Sequence, residues 1–139
     1  MREIFRWWLR VFGVVVIGIA LTHLFVGQST YIGGGQVNST MESDLRFYNI
    51  LFALYGLAFI WVAEDLSGRV RALNLLNLIF FLGGLSRILA WAQTGRPSWF
   101  YVLMIPVELV IPVVNHLILR RLTTAGTRER VATGAARRG

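Results

Sequence analysis

Two oppositely charged residues, Arg87 and Glu108, stand inside long apolar stretches of this chain, where ionised side chains are rare. A lone charge at the centre of a bilayer costs at least about 2.5 to 3.5 kcal/mol on insertion scales, so each group needs a partner. As a pair they could fix how two helices dock, with no ligand at all. They could equally offer an acid and a guanidinium to a small molecule that needs hydrogen bonds or proton transfer. The residues themselves leave both alternatives open.

The elements that must position these charges are four apolar segments, each long enough to cross a bilayer. A helix rises about 1.5 Å per residue, so roughly 20 apolar residues cross a hydrocarbon core about 30 Å thick. The segments lack the strict alternation of barrel strands and the polar face of a soluble bundle. The sequence therefore predicts an all-α fold, a bundle of four transmembrane helices with spans at residues 7–26, 45–63, 73–91 and 99–119.

Arginine supplies every basic residue, and its distribution predicts the orientation of the chain. It is concentrated before the first span, between the second and third spans, and after the fourth. Positive charge near span ends stays in the cytoplasm, so both termini and the middle connection are predicted to be cytoplasmic. We expect a multi-pass protein of the plasma (inner) membrane, with a membrane domain over residues 1–122. Residues 123–139 are predicted to form a basic disordered tail.

Composition argues against several other classes of function. The net charge of +7 lies in the flanks of the spans, which leave no folded basic domain to bind nucleic acid. The chain has no cysteine, so disulfides and cysteine–metal sites are excluded. His23 and His116 are predicted at opposite ends of the bundle, too far apart to share a metal ion. We expect no metal, no cofactor and no nucleic-acid partner.

The predicted packing brings the two buried charges together. A short connection joins the third and fourth helices, so they run antiparallel, and the axial offset between Arg87 and Glu108 is about 6 Å at 1.5 Å per residue. An arginine side chain covers that distance. Arg46 and Asn49 share one stripe of the second helix, and His23 lies at about the same depth in the first. If these residues also turn inward, all five form one polar pocket in the outer half of the bundle, floored by Glu108.

Four short motifs, in a fixed order and spacing, resemble those of a known family. They are Ser43-Asp44-Leu45-Arg46-Phe47-Tyr48, Gly83-Gly84-Leu85-Ser86-Arg87, Gly95-Arg96-Pro97 and Glu108-Leu109. Together they resemble domain-of-unknown-function family 4345, small bacterial four-helix membrane proteins, over about Gly27 to Leu119. The resemblance implies a four-helix membrane fold and the grouping of Arg46, Arg87 and Glu108. It implies no particular reaction or ligand.

Two hypotheses of function follow. The favoured one is a non-enzymatic accessory or interaction subunit of a larger membrane assembly, such as a transporter of lipids or hydrophobic compounds, because so small a chain carries no catalytic constellation. The alternative is a membrane-embedded binder or isomerase-like enzyme for a small amphipathic molecule, in which Glu108 or His23 moves protons. The expected partners are thus the lipid bilayer and either a transport complex or a lipid-like ligand. No catalytic residue is assigned.

Overall fold

A computed structural model describes the backbone of residues 1–136 and the side chains of residues 1–124. Four helices follow one another: α1 (Arg2–Val26), α2 (Ser39–Glu64), α3 (Val70–Thr94) and α4 (Trp99–Ala136). A short 3-10 turn over Gly27–Thr30 continues α1. The described residues contain no strand, and each helix is long and apolar enough to cross a membrane. The predicted all-α fold with four membrane-spanning helices is therefore confirmed, and every predicted span lies within one helix.

Local sequence signals explain where the helices begin and end. The Asn38 side chain accepts a hydrogen bond from the backbone N–H of Met41 at 2.9 Å, so it caps the first turn of α2. Gly27 after α1 and Gly95 after α3 have φ angles of 81° and 92°. These positive values favour glycine, which is why both helices end there. The two prolines of α4 lie inside one continuous helix.

Helices α1 and α2 form a tightly packed antiparallel hairpin. Where the helices are in close contact, a Cβ atom added to Gly13 would lie 2.5 Å from the carbonyl oxygen of Gly56. A Cβ atom added to Gly56 would lie 2.7 Å from the carbonyl oxygen of Gly13. Only glycine permits the two backbones to approach so closely. Near the end of α2, Arg6 Nε donates to the carbonyl oxygen of Ala63 at 2.8 Å, and Arg10 pairs with Glu64. These contacts fix the register of the hairpin.

Helices α3 and α4 form the second hairpin, which packs on the first at both ends. A Cβ atom added to Gly84 would lie 2.9 Å from Leu109 Cδ2, so these helices also approach closely. The main apolar core lies where both hairpins meet, at the end that also holds the arginines in the first turns of α1 and the arginine between α2 and α3. We call it the arginine-rich end. Its buried members are Phe5, Leu9, Phe59, Val62, Ala63, Leu66, Leu73, Leu76 and Leu119. At the opposite end, Ser98 Oγ donates to the carbonyl oxygen of Ile32 at 3.0 Å.

Large apolar side chains remain exposed along all four helices, among them Trp7, Phe25, Leu54 and Leu89. Such a surface would be costly in water but suits contact with lipid chains. The protein is thus a multi-pass membrane protein. The predicted tail, residues 123–139, begins within α4, and the side chains beyond residue 124 lie outside the described residues, so its disorder stays a prediction.

Candidate functional site: an ion pair on the wall of an intramembrane cavity

Arg87 and Glu108 form an ion pair inside the bundle. Arg87 Nε donates to Glu108 Oε2 at 2.7 Å, and the side chains are 36% and 10% exposed. Gly84, three residues before Arg87, makes this contact possible, because a Cβ atom at Gly84 would lie 3.1 Å from the Cβ of Glu108. The small residue brings α3 near enough to α4 for the two charged groups to meet. The expected pairing of these residues is present.

The ring of Tyr101 supports the guanidinium of Arg87. The Cζ atom of Arg87 lies 5.3 Å from the centre of this ring, within the range of a cation–π contact. Tyr101 precedes Glu108 by two helical turns and therefore lies on the same face of α4. One face of α4 thus supplies both the carboxylate and the aromatic ring that hold the arginine in place.

Most of the hydrogen-bonding capacity of Arg87 is unused. A guanidinium carries five N–H donors, of which Nε holds one. Among the described residues only this Nε–H is hydrogen-bonded, so the four N–H groups on the two terminal nitrogens have no acceptor. Glu108 Oε1 likewise accepts no hydrogen bond within residues 1–124. The pair is neutral as a unit, but it presents unsatisfied polar groups at membrane depth.

These unsatisfied groups lie on the wall of a cavity of about 600 Å³ between α2 and α3, with α4 behind. We call it the α2–α3 cavity. Phe52 and Tyr55 from α2 and Phe80 from α3 supply most of its aromatic lining. Two further hydroxyl groups are already engaged, since Ser86 donates to the carbonyl oxygen of Gly83 at 2.7 Å and Tyr55 donates to that of Leu76 at 2.6 Å. The ion pair and the hydroxyl of Tyr48 are therefore the polar groups that the cavity offers to a ligand.

Arg46, Asn49 and His23 do not join this site, so the expected single pocket divides into separate groups. Arg46 is exposed and pairs with Glu42, one turn earlier on α2, at 2.9 Å. Asn49 is buried and donates to the hydroxyl of Tyr31 at 2.8 Å. His23 stacks on the same tyrosine with ring centres 4.1 Å apart. The reason is that Tyr31 folds back from the α1–α2 connection, where it accepts the hydrogen bond of Asn49 and stacks on His23.

The group of His23, Tyr31 and Asn49 lies at the end of the bundle opposite the arginine-rich end. His23 Nδ1 also hydrogen-bonds Thr30 Oγ1, which in turn donates to the carbonyl oxygen of Gly27 at 2.7 Å. Every polar side chain of this group thus has a partner within the chain. These contacts hold the α1–α2 connection against the ends of both helices.

A second chain of polar contacts crosses the bundle nearer the arginine-rich end. Trp8 Nε1 donates to Asn115 Oδ1 at 3.0 Å, and Asn115 Nδ2 donates to Asn77 Oδ1 at 3.2 Å. On the surface of α3 and α4, His116 forms a hydrogen bond with Asn74 at 2.9 Å. The two histidines therefore lie in different halves of the bundle. Among the described residues, no three His, Cys, Asp or Glu side chains are grouped so that they could hold a metal ion.

Three tyrosines that shape these groups, Tyr31, Tyr55 and Tyr101, are not among the site residues predicted from the sequence. Tyr101 carried a usable signal, because a residue seven positions before Glu108 faces the same way on a helix. Tyr55 was masked by its apolar neighbours in the sequence. Tyr31 lies in a glycine-rich connection whose path no periodic pattern describes.

Comparison with known protein families places this arrangement in one of them. The family profile described as Domain of unknown function (DUF4345) matches residues 4–119, which is most of the chain. The chain belongs to this family. The resemblance seen in the sequence is thereby confirmed, and it extends further towards the N-terminus, through α1. Searches of curated proteins and of solved structures gave no match. The family description names no reaction or ligand, so function has to be argued from the site.

Proposed function

We propose that this protein binds a small amphipathic molecule from the bilayer, whose apolar part enters the α2–α3 cavity and whose hydrogen-bond acceptor meets Arg87. The observation that carries the proposal is the state of this arginine: only one of its five donors is used among the described residues, and it faces a mostly apolar cavity. Donors that lack an acceptor at membrane depth cost free energy, so an acceptor supplied by a ligand is favoured here.

Arg87 is held ready for such an acceptor. Glu108 fixes the Nε–H, and the ring of Tyr101 lies against the guanidinium, so its terminal nitrogens keep one position without a ligand. A donor that is already ordered loses little conformational entropy on binding. Because the pair is neutral, a charged ligand would add net charge in a medium of low dielectric constant. A neutral acceptor, such as an ester or ketone carbonyl, fits the site better.

The size and opening of the α2–α3 cavity suit a molecule that arrives from lipid. Its volume of about 600 Å³ lies within the range of roughly 300 to 1,000 Å³ that is usual for small-molecule sites. Tyr48, Leu51 and Ile79 line it and remain 61%, 47% and 48% exposed on the helix surfaces. The cavity therefore opens sideways between α2 and α3, towards the acyl chains of the membrane.

The proposal is tested with methyl oleate, which carries one ester carbonyl, and with 1-octadecene, which has a similar chain and no acceptor. Native mass spectrometry of the purified protein in detergent measures the affinity for each. We expect methyl oleate to bind at least about tenfold more tightly, because a hydrogen bond to a charged donor contributes about 1.5 to 3 kcal/mol. Arg87→Met should remove this preference. Equal binding of both compounds by the wild type would refute the proposal.

A second variant separates loss of binding from loss of folding. Gly83 lines the α2–α3 cavity, and a Cβ atom there would meet only Glu108 Oε2, at 4.0 Å. Gly83→Leu should therefore fill the cavity while the ion pair remains, and abolish binding of methyl oleate. Gly18→Leu is the matched control, since a Cβ atom at Gly18 meets nothing within 4 Å. Retained binding in Gly83→Leu would show that the ligand does not occupy this cavity.

An accessory role beside a larger membrane assembly, such as a lipid or hydrophobic-compound transporter, is the second candidate. Its support is the architecture: large apolar side chains remain exposed along all four helices and offer a contact surface to a partner membrane protein. This role predicts co-purification with a second membrane protein in mild detergent, in a fixed ratio. Isolation of the chain alone would contradict it and leave the binding proposal intact.

We also propose that the arginine-rich end faces the cytoplasm and that the protein lies in the plasma (inner) membrane. The support is the distribution of arginine, because positively charged segments near span ends are retained on the cytoplasmic side. In this orientation the ion pair of Arg87 and Glu108 lies in the outer half of the bilayer. The amphipathic ligand would then come from the outer leaflet.

A further inference from the structure

A second cavity, also of about 600 Å³, lies between α1 and α4 at the arginine-rich half of the bundle. We call it the α1–α4 groove. Its walls are almost entirely apolar and are built by Ile4 and Trp8 from α1 and by Val114 and Ile118 from α4, with Arg121 at one end. Ile4 and Val114 are 75% and 44% exposed, so the groove is open to the surrounding membrane.

The length of the groove matches one leaflet of a bilayer. Along α4 it runs from Val110 to Arg121, which at 1.5 Å per residue is about 16 Å, close to half of a hydrocarbon core about 30 Å thick. Arg121 therefore lies near the membrane surface at the arginine-rich end. The apolar walls extend from there to about the middle of the bilayer.

The volume of the groove suits a hydrocarbon chain. A volume of about 600 Å³ spread over about 16 Å gives a mean cross-section of about 37 Å². An extended acyl chain is thin enough to lie in such a groove along its whole length.

The charge at the end of the groove indicates the headgroup. Within residues 1–124, the guanidinium of Arg121 makes no hydrogen bond and no ion pair. Arg2, Arg6 and Arg10, at the same end of the bundle, each bind another part of the chain. Arg121 thus offers an uncommitted positive charge where the phosphate of a lipid in this leaflet would lie.

We infer that the α1–α4 groove binds one acyl chain of an anionic phospholipid from the leaflet at the arginine-rich end, with the lipid phosphate on Arg121. The apolar walls supply most of the contact area, and the arginine selects for negative charge. This site is separate from the α2–α3 cavity and does not depend on the function proposed for that cavity.

The test uses full-length protein with palmitoyl-oleoyl phosphatidylglycerol, and with phosphatidylcholine of the same acyl chains as the zwitterionic comparison. Native mass spectrometry measures the affinity for each lipid. We expect Arg121→Gln to weaken phosphatidylglycerol binding about fivefold, because the charge-assisted hydrogen bond to the lipid phosphate is lost. Arg120→Gln is the matched control, because Arg120 carries the same charge and does not line the groove. It should change the affinity less than twofold.

A second pair of variants tests the groove itself. Val114→Trp should fill it and abolish the preference for phosphatidylglycerol over phosphatidylcholine, whereas Val113→Trp should leave that preference intact. The two valines are adjacent and similarly exposed, at 44% and 48%, but only Val114 lines the groove. Equal effects of Arg121→Gln and Arg120→Gln would show a diffuse charge effect and overturn the inference. Unchanged lipid preference in Val114→Trp would overturn it as well.

Discussion

The ion pair of Arg87 and Glu108 predicts a strong energetic coupling that can be measured with a double-mutant cycle. Glu108→Gln keeps the shape of the side chain but removes the charge that neutralises Arg87. Arg87→Gln does the reverse and leaves a carboxylate whose side chain is only 10% exposed. In the double variant both groups are neutral, and the two amides can still hydrogen-bond each other. The double variant should therefore be more stable than the sum of the single changes indicates.

The expected magnitudes follow from the exposure of the two partners. Removing one partner of a fully buried pair costs about 3 to 5 kcal/mol. Arg87 is 36% exposed, so its guanidinium can partly reorient towards the cavity when Glu108 is neutralised. We therefore expect Glu108→Gln to lower the free energy of unfolding by about 1 to 2 kcal/mol, below the fully buried range. For Arg87→Gln, which strands the more deeply buried charge, we expect about 2 to 3 kcal/mol. The coupling energy should be about 1 to 2 kcal/mol.

The assay is equilibrium unfolding in mixed micelles by titration with sodium dodecyl sulfate, followed by tryptophan fluorescence. The pair of Arg46 and Glu42 supplies the control cycle, because it joins residues one turn apart on the surface of α2 at a similar distance of 2.9 Å. Its coupling should be about 0.3 to 0.5 kcal/mol. If the effects of Arg87→Gln and Glu108→Gln add within about 0.5 kcal/mol, the two groups do not interact as described.

Two further predictions concern the packing of the first hairpin and the orientation of the chain. Gly13→Ala should lower the free energy of unfolding by about 1 to 3 kcal/mol, because its Cβ would lie 2.5 Å from a backbone oxygen of α2. Gly18→Ala is the control, since a Cβ atom there lies in open space on the same helix, and it should not lower the free energy of unfolding. The same titration with sodium dodecyl sulfate compares the two variants. Because the chain has no cysteine, a single introduced cysteine reports on which side of the membrane it lies. In intact cells, a membrane-impermeant maleimide should label Gln36→Cys, in the connection between α1 and α2, and should not label Ser67→Cys, between α2 and α3. The reverse labelling would refute the proposed orientation.

The membrane fold could be predicted from the sequence because its signals are local. Apolar length fixes the spans, and Gly27 and Gly95 mark the ends of two helices. The ion pair could be predicted for a related reason. The short connection between α3 and α4 forces antiparallel neighbours, and the rise per residue then places Arg87 beside Glu108. Both predictions need only geometry along the chain and one forced contact between helices.

The wider cluster could not be predicted, because it depends on a connection without periodic pattern. Helical spacing showed that Arg46 and Asn49 lie on one stripe of α2, and Asn49 is buried. It could not show that Tyr31 would fold back to bind Asn49 and stack on His23. Helical periodicity gives the face of a helix on which a residue lies. The neighbour that this face meets depends on how the connections pack.

Each contact between helices in this bundle includes a specific feature besides apolar packing. In lipid, apolar side chains gain little by leaving one apolar surface for another, so small residues and hydrogen bonds must specify the arrangement. Close glycines and arginine contacts join α1 to α2, and Trp8 with Asn115 joins α1 to α4. The hydroxyl of Tyr55 joins α2 to α3. Arg87 and Glu108 join α3 to α4, which Asn77 and Asn115 already link nearer the arginine-rich end.

This redundancy separates the ion pair from the other polar contacts. A clamp between α3 and α4 needs no guanidinium with four unused donors, because two amides do the same work at lower cost in lipid. A guanidinium that is fixed by one donor and faces a cavity with the rest is what recognition of an acceptor requires. The pair therefore orders the helices and at the same time presents Arg87 to the α2–α3 cavity, so its structural and binding roles are compatible.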